Sequence, residues 1–154
     1  MARGLRAAAL FGAALLAWGC ASLGTSRRHG PALGVAIARS ALAQRGRPYV
    51  FGGDRPGRGF DCSGLAYWSF GRHGVDLPRT VAAMARVGRH VPLRDLRAGD
   101  LVFFSPYGGR PTHVGVMLDR YRFVHAPSSG ERVRVDSLRN PYWRRVFVGA
   151  RRVT

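Results

Sequence analysis

Three residues in this sequence have the chemistry of a nucleophile and its base. Cys62 follows a glycine-rich stretch, "GGDRPGRGFDCSG" (52–64), and opens an apolar segment. A helix starting at Asp61 or Cys62 would set the sulfur among backbone N–H groups that lack intrahelical partners, at the positive end of the helix dipole. That setting favours thiolate over thiol, and it offers donors for the oxyanion formed when sulfur attacks a carbonyl. Glycines at 52, 53, 57, 59 and 64 leave room for a substrate backbone to approach.

The base comes from two short runs that read as strands. In "HVGVML" (113–118), His113 shares a face with Gly115 and Met117; in "RFVHA" (122–126), Phe123 and His125 share one. A hairpin through residues 119–121 sets 115 opposite 125, which makes His113 a same-face diagonal neighbour of His125, about 7–8 Å away between backbones. One imidazole then takes the thiol proton while the other fixes its tautomer. Gly115, lacking a side chain, opens the space between the rings. A slip of one residue in this register would send the histidines to opposite faces. Zinc held by Cys62, His113 and His125 is the chemical rival. The close ligand pairs common at zinc sites, C-x-x-C or H-x-x-x-H, are absent, so we read no metal and no cofactor. His29, His73 and His90 have no comparable setting.

These side chains need elements to position them. Pro31 at a first helical position, apolar Leu33, Ile37 and Ala41, and a stop at Gly46 predict a first helix. The second runs from Asp61 or Cys62 to His73 and Gly74, and a third follows over "TVAAMARVG", capped by Thr80 and ended by Gly88. From residue 101 the period changes to two, with strands at 101–104, 113–118, 122–126, 132–135 and 145–153. Helices first and closely connected strands afterwards predict an α+β domain in which N-terminal helices pack on a central antiparallel sheet of about five to six strands.

The chain has 154 residues, 46% of them apolar, which is material for one domain and one core. All 25 basic residues are arginine, and the formal charge is +17. The arginines are scattered and no nucleic-acid motif accompanies them, so the basic surface reads as solvated, with attraction to an anionic envelope and no nucleic-acid partner expected. Residues 1–20 read as a secretory signal: Arg3 and Arg6 precede an uncharged apolar stretch, Ala7 to Trp18, too short to remain as a membrane span. "LLAWGC" resembles a lipobox, with Cys20 as the lipid-attachment site; ordinary cleavage near Ala21 is the alternative. Either outcome removes Cys20 as a disulfide partner and leaves Cys62 an unpaired thiol in an oxidising compartment. Residues 21–30 read as a flexible tether and residues 31–154 as the domain, a monomer exported to the bacterial cell envelope.

Six blocks then carry a resemblance: "GRPYVFGG" (46–53), "FDCSGLAYWSF" (60–70), "VDLPRT" (75–80), "RAGDLVFF" (97–104), "HVGVML" (113–118) and "FVHAP" (123–127). In order and spacing they resemble the NlpC family, the NlpC and p-sixty group of bacterial cell-wall cysteine peptidases, over roughly residues 32–153. The resemblance implies a papain-like fold that hydrolyses amide bonds in peptidoglycan stem peptides; a catalytically silent envelope-binding lipoprotein, and a related amidase or acyltransferase on another substrate, are the alternatives. Cys62 then matches the nucleophile, His113 the general base, and His125 the orienting third residue, which the family fills with His, Asn or Gln. Tyr49 matches a tyrosine that donates to the oxyanion or contacts substrate. Asp61 matches an acidic residue that in some members contacts a substrate amine, although it would serve equally as an N-cap, and Ser63 lines the same turn. Met84 departs from the pattern, which often has Gln there. Arg79 and Thr80 are retained, in a position to cap the third helix. Two bonds are open on this resemblance: γ-D-glutamyl to diamino acid, and the D-alanyl to diaminopimelate crosslink.

Overall fold

Gly30 at an extended φ and Pro31 at the first helical position launch α1 (Pro31–Leu42). The computed structural model describes residues 30–154. The signal segment, Cys20, His29 and all but the last residue of the predicted tether lie outside the described residues. The glycine-rich stretch contains a small hairpin, β1 (Asp54–Arg55) and β2 (Gly59–Phe60), before α2 (Cys62–Gly71). Next come α3 (Val81–Met84), β3 (Arg89–His90), β4 (Leu101–Phe104), β5 (His113–Met117), β6 (Arg122–His125), β7 (Arg134–Ser137), α4 (Pro141–Val146) and β8 (Phe147–Arg152).

Six strands form one antiparallel sheet in the order β3-β8-β4-β5-β6-β7. Every residue of β4 and β5 is buried, as expected of central strands covered on both faces and written as continuous apolar runs. On one face Ile37 and Ala41 of α1 and Leu65, Ala66 and Phe70 of α2 pack against Leu101, Phe103, Val114, Val116 and Val124. On the other face Val102, Phe104, Met117 and Phe123 are covered by Trp143 and Val146 of α4 and by Leu138. The α+β expectation with helices on an antiparallel sheet holds, with six strands in the main sheet.

The first two helices stop at Leu42 and Gly71, short of Gly46 and of His73 and Gly74, and three further boundaries differ from the sequence reading, the first two of them for a nonlocal reason. The third helix stops after one turn at Met84 rather than reaching Gly88. Gly88 has φ +67, and a Cβ there would lie 2.3 Å from the Arg152 carbonyl oxygen, because the chain turns at once to pair β3 with β8. The fourth predicted strand begins at Arg134 rather than 132. Residues 132 and 133 instead meet the segment after α1, through a Pro48–Arg132 bridge and paired amides between Val133, Gly46 and Arg47. Residues 141–146 are helical, so the last strand begins at 147; Asn140 caps this helix by accepting from the Tyr142 N–H at 2.9 Å, and Pro141 opens it.

Close backbone approach fixes where α1 sits. Gly34 lies so near the loop before β4 that a Cβ would be 2.4 Å from the Ala98 carbonyl oxygen. That loop is tied in turn by Asp100, whose buried carboxylate accepts from Arg152 Nε at 2.6 Å and Nη2 at 2.7 Å. The first turn of α1 therefore rests at the end of the sheet where β5 finishes, since Gly99 N–H donates to the Met117 carbonyl at 2.9 Å.

Candidate active site

Asp61 caps α2, accepting from Gly64 N–H at 2.6 Å, and this places Cys62 as the first helical residue. The same carboxylate accepts from Gly52 N–H at 3.0 Å, Ser63 Oγ at 3.2 Å, and Arg79 Nη1 and Nη2 at 2.9 and 2.8 Å. Arg79 also donates to Ser63 Oγ at 2.7 Å and to the Gly53 carbonyl at 3.2 Å. Burial pushes the Asp61 carboxyl up, but Arg79 and the two amides outweigh it and hold it below its usual range. Five donors on one carboxylate use up its acceptor sites. Asp61 is therefore the knot that ties the glycine-rich loop, the start of α2 and the Arg79 segment around the sulfur.

Gly64 is required for that knot, because a Cβ there would lie 1.9 Å from the Gly53 carbonyl oxygen. Cys62 is the one free cysteine among the described residues and is half-buried. Burial pushes its thiol up, the Val114 backbone amide pulls it down, and the Asp61 carboxylate pushes it up again. The net direction is upward. A helix start alone predicts a resting thiolate; here desolvation by the surrounding core wins, and the group rests as a thiol. Tyr49 lies beside it, its phenol raised by burial and by the neighbouring Cys62 and Asp61.

The histidines stand in the predicted register. Val116 pairs with Val124 and Met117 with Phe123, which puts 115 opposite 125. His113 Nε2 and His125 Nδ1 are 2.7 Å apart. The backbone amide of Val114, the residue after His113, is among the groups that lower the Cys62 thiol, although α2 covers the sheet face opposite the two rings.

A third member continues the line. His125 Nε2 is 2.7 Å from Asp136 Oδ2, and Arg134 Nε is 3.0 Å from the same oxygen. Arg134 also pairs with Glu131. The β6–β7 register sets His125 opposite Arg134 and Phe123 opposite Asp136, so Asp136 is a same-face diagonal neighbour of His125, as His113 is on the other side. With Asp136 ionised, His125 Nε2–H donates to it, His125 Nδ1 accepts from His113 Nε2–H, and the His113 lone pair is left on Nδ1. His113 is driven down to about 3 by burial first and by His125 and Arg134 next, so it is neutral at any neutral pH. Burial likewise lowers His125, against the pull of Asp136. Asp136 itself is held below its usual range by His125 and Arg134, against its own burial.

An aromatic wall fixes the rings. Trp143 of α4 stacks on His113 at 5.8 Å between centroids and meets His125 edge-on at 4.9 Å. Among the described residues no three His, Cys, Asp or Glu side chains are arranged to hold a metal ion.

A model of the NlpC/P60 family matches residues 46–152. The chain belongs to the NlpC/P60 family. Murein DD-endopeptidase MepH of Escherichia coli (strain K12) is 40% identical over 122 residues, covering 76% of this chain and 45% of MepH. The bifunctional muramidase/DL-endopeptidase CwlT of Bacillus subtilis (strain 168) is 38% identical over 119 residues, 76% of this chain and 36% of CwlT. A crystal structure of an NlpC/P60 family protein from Bacillus cereus ATCC 10987 superposes with a TM-score of 0.73 at 30% identity, over 78% of this chain and 40% of that one. The chain thus spans less than half the length of these relatives.

Within this NlpC/P60 domain Asp61, Cys62 and Ser63 form the turn that opens α2, Tyr49 from the segment after α1 is near enough to feel Cys62 and Asp61, and His113 and His125 pair with each other on β5 and β6. Met84, where the family often has Gln, is fully buried in the core and away from solvent. Thr80 caps α3, while Arg79 turns to Asp61 instead. Two residues escaped the sequence reading, Asp136 and Trp143. The dipeptide Asn140–Pro141 was a helix-start signal for the element that carries Trp143. Asp136 lies one residue past the expected end of its strand.

Gly115 has a different role from the one expected. The space over it is filled by Phe123, whose Cδ2 would lie 2.6 Å from a Cβ at that position. That ring is confined by Phe104 at 5.0 Å, Trp143 at 5.3 Å and His125 at 5.0 Å between centroids. Gly115→Ala should therefore push Phe123 against His125 and destabilise the domain by about 1–3 kcal/mol, the usual range for overpacking. Thermal melting reads it, and an unchanged Tm would show that the ring has room to move.

Proposed function

We propose that this chain is an exported cysteine endopeptidase that hydrolyses amide bonds of peptidoglycan stem peptides, carried to the envelope by residues 1–20 and held there by lipid on Cys20. Family membership supports the reaction class, and the names of MepH and CwlT support the substrate class. The observation that carries the reading is the hydrogen-bonded line Asp136, His125, His113, next in sequence to Val114, whose amide is among the groups that lower the Cys62 thiol.

Cys62 and His113 begin as a neutral pair. As Sγ attacks the amide carbonyl, its proton passes to His113 Nδ1, and the imidazolium donates Nε2–H to His125. The oxyanion is received by the amides at the start of α2 and by the Tyr49 hydroxyl. Collapse breaks the C–N bond, and His113 returns its proton to the leaving amine. Water, deprotonated by His113, then cleaves the thioester and regenerates the thiol. Ser63 and Asp61 hold the turn; the saturation of Asp61 favours its structural role over contact with a substrate amine.

Digestion of purified sacculi with the wild-type protein, followed by mass spectrometry, tests the reading and identifies the bond. New peptide ends should appear and should vanish with Cys62→Ala; products that survive that substitution would remove the thiol mechanism.

Asp136 and His125 are positioning residues in this scheme. In Asp136→Asn the new amide can donate to His125 Nε2, which moves the proton to Nδ1 and reverses the chain, so that His113 carries its hydrogen on the nitrogen that must accept. We expect kcat to fall by about 10- to 100-fold with KM unchanged, in line with the effect of small misplacements. A rise in KM with kcat intact would assign Asp136 to substrate binding instead.

A further inference from the structure

Four exposed arginines, Arg94, Arg120, Arg139 and Arg144, gather at the end of the sheet where β5 turns into β6. A cavity of about 420 Å3 there is lined by three of them and by Leu93, Tyr121 and Leu138. The Arg139 guanidinium lies 4.1 Å from the Tyr121 ring centroid and that of Arg120 lies 5.6 Å from it, so one ring supports two cations. Arg122 is neutralised by Asp119 at 2.6 Å, and Arg94 is 3.9 Å from Asp95. Arg120, Arg139 and Arg144 have no ion pair among the described residues. Like charges gathered without a counter-charge repel one another, and an external polyanion relieves that repulsion.

Two features of the fold select the polyanion. The first is where the chain enters. Gly34, in the first turn of α1, packs on Ala98 and Gly99, and Gly99 is bonded to Met117 at the end of β5. Pro31 therefore enters the domain at the same end as the arginines. Residues 21–30 separate it from Cys20, and ten residues reach at most about 35 Å when fully extended. The second is where the cleft lies. His113 begins β5 and Arg120 lies beyond its far end, which puts the whole strand, about 13 Å, between them.

We propose that this arginine face docks on anionic phospholipid headgroups of the membrane to which the domain is tethered, and so turns the His113 end toward the peptidoglycan. Arg120, Arg139 and Arg144 take phosphate oxygens through their planar forks, and Tyr121 sits at the headgroup boundary, where such rings are favoured. The proposal rests on the reading of residues 1–20 as an export signal with lipid on Cys20.

Flotation of the full chain with two kinds of vesicle tests it: phosphatidylcholine alone, and phosphatidylcholine mixed in equal parts with phosphatidylglycerol. Phosphatidylglycerol should raise the bound fraction, and added salt should remove the gain. Arg120→Glu/Arg139→Glu/Arg144→Glu should lower partitioning onto the anionic vesicles about a hundredfold, from about fivefold per basic side chain. Binding to phosphatidylcholine, which reads the N-terminal lipid or apolar stretch, should not change. Equal binding to both vesicles, a phosphatidylglycerol gain that the triple variant keeps, or binding of soluble polyphosphate or DNA in place of vesicles overturns the proposal. Should the Glu variant fail to fold, the corresponding triple Gln variant, whose melting is checked first, gives the same readout. Hydrolysis of a soluble muropeptide by the same samples should match wild type. Its absence from wild type and variant alike would count against the peptidase reading and leave the docking result standing. Mass spectrometry of the N-terminus separately reports whether Cys20 carries lipid.

Discussion

His113→Gln should lower kcat/KM on peptidoglycan fragments by roughly three to four orders of magnitude while the domain stays folded. The size follows from the electrostatics of the sulfur. Burial and Asp61 together hold the Cys62 proton more tightly than an ordinary thiol would. Little thiolate therefore exists at neutral pH, and attack depends on a neighbour that accepts the proton as the bond forms. Glutamine can donate to His125 Nδ1 as His113 Nε2–H does, so the fold keeps its contact, but its amide cannot hold the transferred proton. The pH profile should change as well. Wild-type kcat/KM should hold below pH 6.5 for as long as the domain stays folded, because His113 stays neutral down to about 3. What remains in the variant should rise with pH as the thiolate forms without help. A loss of less than tenfold, or a variant profile with no alkaline rise, would take the general-base role away from His113.

Acid should unfold this domain earlier than its carboxylates require. His113 and His125 are both buried as neutral rings, and burial lowers both from the ordinary 6.5, His113 to about 3. In the unfolded chain both rings take up protons below about 6.5, whereas the native state resists. Their contribution is complete above pH 6.5 and is lost as pH falls toward the native value. For His113 alone the loss between pH 6.5 and 4 amounts to about 3 kcal/mol, a large part of the stability of a domain this size. Asp61 and Asp136 are held below the ordinary 3.8 in the native state and so titrate later. Tm measured at pH 7 and pH 4 should fall steeply for wild type and less for His113→Gln. Parallel declines in the two proteins would show that the ring is not the group being titrated.

The same physics explains which features could be read in advance. Cys62 at a helix start was legible because an N-cap is a local device: Asp61 accepts from an N–H three residues later, within one turn. The histidine pairing was legible because a short hairpin has few registers, and only one buries Phe123, Val124 and His125 on the faces the pattern demands. Asp136 was not. Its position depends on where β7 begins, and that is set by pairing between residues 46–48 and 131–133, more than eighty positions apart in the chain. The length of α3 was hidden in the same way, since the strand that follows it pairs with β8, Arg89 with Arg152, far along the chain.

The amino-acid sequence by itself determined the cysteine at a helix start, the two paired imidazoles, the hairpin that joins them and the α+β class, because each follows from contacts within a turn or between adjacent strands. Only the tertiary structure decided the protonation states. Whether Cys62 rests as thiol or thiolate, and whether His113 is neutral, depends on how much water the packed core removes, on Val114 beside the thiol, and on His125, Arg134 and Asp136 beside His113, all brought in from other segments. Desolvation is a property of everything that surrounds a group at once, and it takes form only when the sheet has closed between its two layers of helices.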